Sequence, residues 1–240
     1  MQGFNPVKIN WVSQYLTGRP LRLLFLVVLE LVLYQTPALA QRTPYVGVLG
    51  GVSTLSADAG SVLTSQSLLT SSYKPENGPL VNAVAGVHFH EYLSLQFNYV
   101  WNRNHVTMNS ASSASNSFYL QQRTSSQQSA IVDLLVYFRR KNSRLRPYLG
   151  VGTGVVHFSS TEERTTALGG TPVLPPVHFS STQAALHVPV GIDLAVTRQL
   201  AIRYSFSETI RHNDVSEKLS PPGERSLASF YNLVGVLIRF

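Results

Sequence analysis

The stretch LSLQFNYVWN, Leu93 to Asn102, alternates apolar and polar side chains almost without a break. Leu93, Leu95, Phe97, Tyr99 and Trp101 share one face, while Ser94, Gln96, Asn98 and Asn102 share the other. A period of two sends successive side chains to opposite faces of an extended chain, so the stretch reads as a β-strand rather than a helix. One face wants apolar surroundings and the other polar ones. What remains to be decided is which of them points inward.

The same period recurs along the chain. In SAIVDLLVYFR one face carries Ala130, Val132, Leu134, Val136 and Phe138, and the other includes Asp133 and Arg139. In QLAIRYSFSETI, Leu200, Ile202, Tyr204 and Phe206 oppose Arg203, Ser205, Ser207 and Thr209. Eight strands are expected, at about 45–54, 80–90, 92–103, 127–140, 146–158, 180–196, 199–210 and 227–240. Their connections alternate between a few residues and loops of roughly 15 to 25, such as NHVTMNSASSASNSFYLQQRTSS at 104–126. These loops are rich in Ser, Thr, Asn and Gln and read as mobile or partner-ordered segments.

That rhythm carries a topology. If every strand crosses a membrane, short turns gather on one side, long loops on the other, and an even strand number leaves both chain ends on the short-turn side. The apolar face then meets lipid and the polar face fills the lumen. A soluble ligand-holding barrel would instead bury the apolar face and leave Gln96, Asp133 and Arg203 in water. Aromatic residues near strand ends, Tyr92, Tyr99, Trp101, Phe138, Tyr148 and Phe240, favour the membrane form, where such residues make interfacial girdles. Composition agrees, with 44% hydrophobic and only 13% charged residues.

The N-terminus reads as a cleavable export signal, residues 1–40. Lys8, Arg19 and Arg22 precede the apolar run LLFLVVLELVLY, and Pro37 with Ala38-Leu39-Ala40 supplies a small-x-small cleavage pattern. That run contains Glu30 and falls short of the roughly 20 residues a spanning helix needs. There is no cysteine, which excludes disulfides and thiolate metal sites. The net charge of +7 includes a basic run, Arg139, Arg140, Lys141, Arg144 and Arg146, in one short turn. No nucleic-acid motif accompanies it, so nucleic acid is not an expected partner. Contact with anionic lipid headgroups is the sharper reading of that run, a solvated turn the plainer one.

The alternating strands, the Gly-rich strand RPYLGVGTGV (Arg146 to Val155) and the aromatic C-terminus YNLVGVLIRF resemble the OmpA-type outer-membrane β-barrel family of bacteria over residues 41–240. The resemblance implies an all-β fold: an eight-stranded antiparallel up-and-down transmembrane barrel in the outer membrane, with long loops extracellular and both termini periplasmic. It implies outer-membrane lipid and lipopolysaccharide as surroundings. In this family the terminal aromatic is a signal to the barrel-insertion machinery, and Phe240 occupies that position. The function expected is structural, adhesive or ligand-contacting at the cell surface, with an unidentified extracellular partner, no cofactor and no catalysis.

Strand parity directs Asn82, His88, Gln96, Asp133, His187, Asp193, Arg203 and Arg239 into the lumen. An eight-stranded barrel is only wide enough for side chains to fill. Asp193 and Arg203 flank a short turn and both point inward, which predicts an internal salt bridge. Gly150, Gly152 and Gly154 also point inward and make room for bulky neighbours.

The motif VHFSS occurs at Val156–Ser160 and again at Val177–Ser181. Parity puts both histidines outward, and an antiparallel pairing of His157 with His178 is expected at the base of the long loop. Zinc wants four ligands and only Glu162 and Glu163 are near in sequence, so no metal is expected. His-Phe-Ser also resembles the His-x-Ser element of the outer-membrane lipid A deacylases. By that resemblance His157 with Ser159, or His178 with Ser180, would be base and nucleophile, with Glu162, Glu163 or Glu208 as the acid. Ser160 and Ser181 stand where that family commonly has Asn. A narrow conduit for small apolar molecules is a third reading.

Overall fold

A computed structural model describes residues 43–240, so the expected signal segment, residues 1–40, lies outside the described residues. The chain forms β1 (Thr43–Leu55), β2 (Asp58–Leu63), β3 (Leu68–Pro75), β4 (Gly78–His88), β5 (Leu93–Ser112), β6 (Ser117–Tyr137), β7 (Leu145–Gly169), β8 (His178–Ala195), β9 (Leu200–His212) and β10 (Ser226–Arg239). Eight of these, β1 and β4 to β10, pair with sequential neighbours, and β10 returns to β1. All pairings are antiparallel, so the sheet closes into an up-and-down barrel. Closure removes the free edges that an open sheet would present to lipid.

The two faces of the opening stretch settle which side is in. Leu95, Phe97, Tyr99 and Trp101 are exposed on the outer wall, whereas Ser94, Gln96, Asn98 and Asn102 are buried in the lumen. The same inversion holds across the barrel, with Val48 61% and Val151 54% exposed while Asp133 and Asp193 are 0% exposed. A soluble barrel would bury those valines and expose the carboxylates. Tyr148 corrects one expectation. It is buried at 1% exposure and points inward against Tyr137, so it belongs to the lumen filling and not to a girdle.

The expected loop at 104–126 is mostly strand. β5 runs to Ser112, β6 starts at Ser117, and β7 reaches Gly169 instead of stopping near 158. β7 has 25 residues where about 9–11 suffice to cross a bilayer. Outside the apolar slab both faces of a strand tolerate polar residues, so the hydropathy alternation fades while the hydrogen-bond ladder continues. The first long loop also carries structure, the hairpin of β2 and β3, whose β3 pairs with the upper part of β5 from Leu69↔Ser112 to Pro75↔Val106. β2, β3 and the upper parts of β5, β6 and β7 therefore form a five-stranded wall rising from one side of the barrel. Its two lateral edges, β2 and the end of β7 beyond Thr161↔His178, have no strand partner among the described residues.

Candidate functional site

The lumen is filled in three zones. Nearest the short turns, Arg203 Nε and Nη2 donate to the two carboxylate oxygens of Asp193 at 2.6 and 2.9 Å. The two residues are direct partners in the β8–β9 ladder. Arg203 Nη2 also donates to the Tyr137 hydroxyl at 2.8 Å, Arg203 Nη1 donates to Gln96, and the guanidinium lies 4.7 Å from the Tyr148 ring centre. A bidentate pair supplied with further partners is what keeps such charges tolerable away from water. Arg239 Nη2 lies 3.7 Å from Asp193, so two arginines share one carboxylate, while Arg146 stacks on Tyr137 at 3.9 Å beside them.

In the middle zone Asp133 finds a partner that parity alone did not select. Its carboxylate lies 2.8 Å from His187 Nδ1 and accepts from Asn98 Nδ2 at 2.8 Å. Gly152 faces this pair, and a Cβ there would collide with the Asp133 side chain and the Val132 carbonyl. The cavity left beside these residues is about 10 Å³, room for roughly one water. At the long-loop end Tyr73, Met108, Tyr119, Phe158 and Phe179 pack with Val215 and Leu219 from residues 213–225. This segment folds into the mouth, tied down by Asn213 Nδ2 donating to Tyr73 at 3.1 Å and Ser216 Oγ to Asp58 at 2.7 Å. Burial raises the hydroxyl pKa of both Tyr73 and Tyr119 to about 12.

Arg123 is fully buried near the base of the wall, and among the described residues no carboxylate lies within ion-pair distance of it. Its guanidinium donates to Ser160 Oγ at 3.0 Å, to the Ser160 carbonyl at 3.1 Å and to the Val177 carbonyl at 3.0 Å. Burial pulls its pKa below the ordinary arginine value, opposed by nearby Glu162. One side chain thus fastens the second VHFSS motif to the first.

The pairing of His157 with His178 is overturned. Both histidines do face outward, but β7 and β8 are offset by four residues from the expected register, with His157 opposite Thr182 and Thr161 opposite His178. Nδ1 of each imidazole meets the facing threonine hydroxyl, at 2.8 Å for His157 and 3.1 Å for His178. The register follows from the whole ladder, which runs unshifted from Leu145↔Leu194 upward, not from the motif. Neither His157 with Ser159 nor His178 with Ser180 forms a hydrogen-bonded pair.

A different outer-wall cluster was not legible. His105, Thr124 and Glu163 come from three adjacent strands, and the shift between Gln122 and Arg123 leaves Glu163 as the extra residue of a bulge. Glu163 accepts from the Thr124 hydroxyl, His105 Nδ1 lies 3.2 Å from that hydroxyl, and the same Nδ1 is 3.7 Å from Glu163. Both contacts of the imidazole use one nitrogen. A relay would need the acid on the nitrogen opposite the hydroxyl. His212, Asp214 and Glu217 also place ligand atoms within 4.8 Å of one another, but Asp214 already accepts from Ser181, Gln183 and Arg211.

At the tip of the wall, Leu68, Phe118 and Leu168 line an open groove of about 440 Å³ between the β2–β3 hairpin and the ends of β5, β6 and β7. Leu63 and Leu168 are 79% and 62% exposed. At the other end Phe240 is outward-facing, and its backbone N–H donates to the Pro44 carbonyl at 3.0 Å, completing the seam between β10 and β1.

Among solved structures, Neisserial surface protein A is 18% identical, with 82% of this chain and 97% of that chain covered and a TM-score of 0.46. Ail, the attachment invasion locus protein of Yersinia pestis, solved with the heparin analogue sucrose octasulfate, is 13% identical, with 83% and 99% covered and a TM-score of 0.47. OprG from Pseudomonas aeruginosa is 10% identical, with 82% and 95% covered and a TM-score of 0.44. No curated protein matches the chain. A family model described as the outer membrane protein beta-barrel domain matches residues 25–220. With its closed ladder and inverted faces, this chain belongs to that family and is a β-barrel of the bacterial outer membrane.

Proposed function

We propose that this barrel is a non-conducting, non-catalytic surface protein that uses its five-stranded wall to contact a partner outside the cell. The reading places the long-loop end outside and both termini in the periplasm. The observation that carries it is the groove at the tip of the wall, lined by the exposed Leu68, Phe118 and Leu168, with Leu63 exposed beside it opposite Leu68. Apolar side chains clustered at an exposed tip are costly unless something covers them. The open edge of β2 beside them adds a row of backbone groups able to pair with an extended segment. The filled lumen supports the same reading, since an axial conduit needs more than a 10 Å³ space.

The test is attachment. A Gram-negative host displaying the wild type is expected to adhere to immobilised extracellular matrix or to other cells. A variant with Leu63, Leu68, Phe118 and Leu168 changed to Ser is expected to lose adhesion while keeping its heat-shifted gel mobility. Equal adhesion by wild type, tip variant and empty host would contradict the proposal.

A further inference from the structure

Two arginines near the short turns, Arg203 and Arg239, share the buried Asp193 carboxylate, and Arg239 also lines a cavity at the short-turn end. Arg239 is 91% buried, its Nη2 lies 3.7 Å from Asp193, and neither Nε nor Nη2 makes a hydrogen bond. It lines a cavity of about 630 Å³ between the β6–β7 and β8–β9 turns. Lys141, Arg144 and Arg198 line the same cavity, and no carboxylate does among the described residues. The ladder builds this convergence. The Ala195 N–H donates to the Arg144 carbonyl at 2.7 Å, joining the two turns, and the Arg239 N–H donates to the Gln199 carbonyl at 2.7 Å, bringing the C-terminal strand to them.

A concave site onto which the guanidinium groups of Arg144, Arg198 and Arg239 converge suits a multi-oxygen anion, and phosphate matches the guanidinium fork. The surroundings choose between a dissolved phosphate and a lipid one. Ala195 and Val196 form part of the wall, and the outward residues Leu145, Leu194 and Val196 are 37%, 37% and 52% exposed where the apolar band begins. An anion seated here has hydrocarbon directly above it.

We propose that this cavity binds the phosphate group of a glycerophospholipid in the leaflet at the short-turn end, with Arg239 as the buried donor and Arg144 and Arg198 closing around the headgroup. The run at 139–146 is then part of a lipid site rather than a solvated turn.

Native mass spectrometry of the full mature chain tests this, after incubation in non-ionic micelles with dioleoylphosphatidylglycerol, dioleoylglycerol or inorganic phosphate. The wild type is expected to retain phosphatidylglycerol and not dioleoylglycerol. Retention is expected to fall about tenfold or more in the exposed-turn variant R144E/R198E and in R239Q, as loss of charge-assisted contacts implies. Heat-shifted gel mobility shows in parallel that each variant is folded. R144E/R198E carries the test if R239Q fails to fold. Equal retention by the wild type and R144E/R198E would overturn the site, and so would retention of dioleoylglycerol equal to that of phosphatidylglycerol. Binding of inorganic phosphate with no lipid retained would overturn the lipid as occupant.

Discussion

Arg203 and Asp193 form a bidentate pair with both side chains fully buried. Arg203→Leu leaves that carboxylate without its main partner, and breaking a buried pair costs on the order of 3–5 kcal/mol. The urea midpoint in micelles is expected to drop accordingly; an unchanged midpoint would mean the pair gives the barrel no support. Gly152→Val should cost about 1–3 kcal/mol by overpacking, because its Cβ meets the Asp133 side chain and a backbone carbonyl. Tyr73 gives a pH dependence. Burial raises its folded value from 10.0 to about 12, so its stabilising contribution is whole below 10.0 and lost as pH rises through about 12. The mouth segment is therefore expected to loosen between those values, by about 3 kcal/mol for Tyr73, in step with late-rising tyrosinate absorbance. Tyrosines that all ionise near 10.0 would contradict it. The Asp193–Arg203 pairing was legible because both residues flank a short turn. The Asp133–His187 contact was not, because the partners are 54 positions apart and only the closed barrel brings them together.

Strands are legible where one side is lipid, since that is where hydropathy must alternate, as in Leu93 to Asn102. Above the bilayer this constraint lapses, and the ladder through Asn104–Ser112 and Ser117–Ser126 looks like loop in the sequence although every position is paired. The His157 register was missed for a related reason. Parity fixes the face a residue takes, while the pair it joins is set by the whole β7–β8 ladder, which starts far below at Leu145↔Leu194. Hydrogen exchange separates the two accounts of 104–126. Amides of β5 and β6 in this segment are expected to be strongly protected, and those at 139–144 and 170–176 to exchange quickly. Fast exchange throughout 104–126 would restore the mobile loop.

As a whole molecule, the barrel is plugged at three levels, by Arg203 with its partners, by Asp133 with His187, and by the apolar packing of Val215 and Leu219 at the mouth. Reconstituted in planar bilayers, it is expected to give no stable unitary conductance; a steady open channel would show that the mouth segment is a gate. The family and the closed ladder place the chain in the outer membrane, and the wall makes the two ends of the barrel different. Which end meets the outside decides whether the tip groove can do what is proposed for it. The chain has no cysteine, so a single introduced one reports its own position. Asn142→Cys in a short turn and Val173→Cys above the mouth should be labelled on cells with a membrane-impermeant maleimide. The account predicts labelling at position 173 on intact cells and at position 142 only after the outer membrane is opened. Labelling at position 142 on intact cells, with position 173 protected, would contradict it.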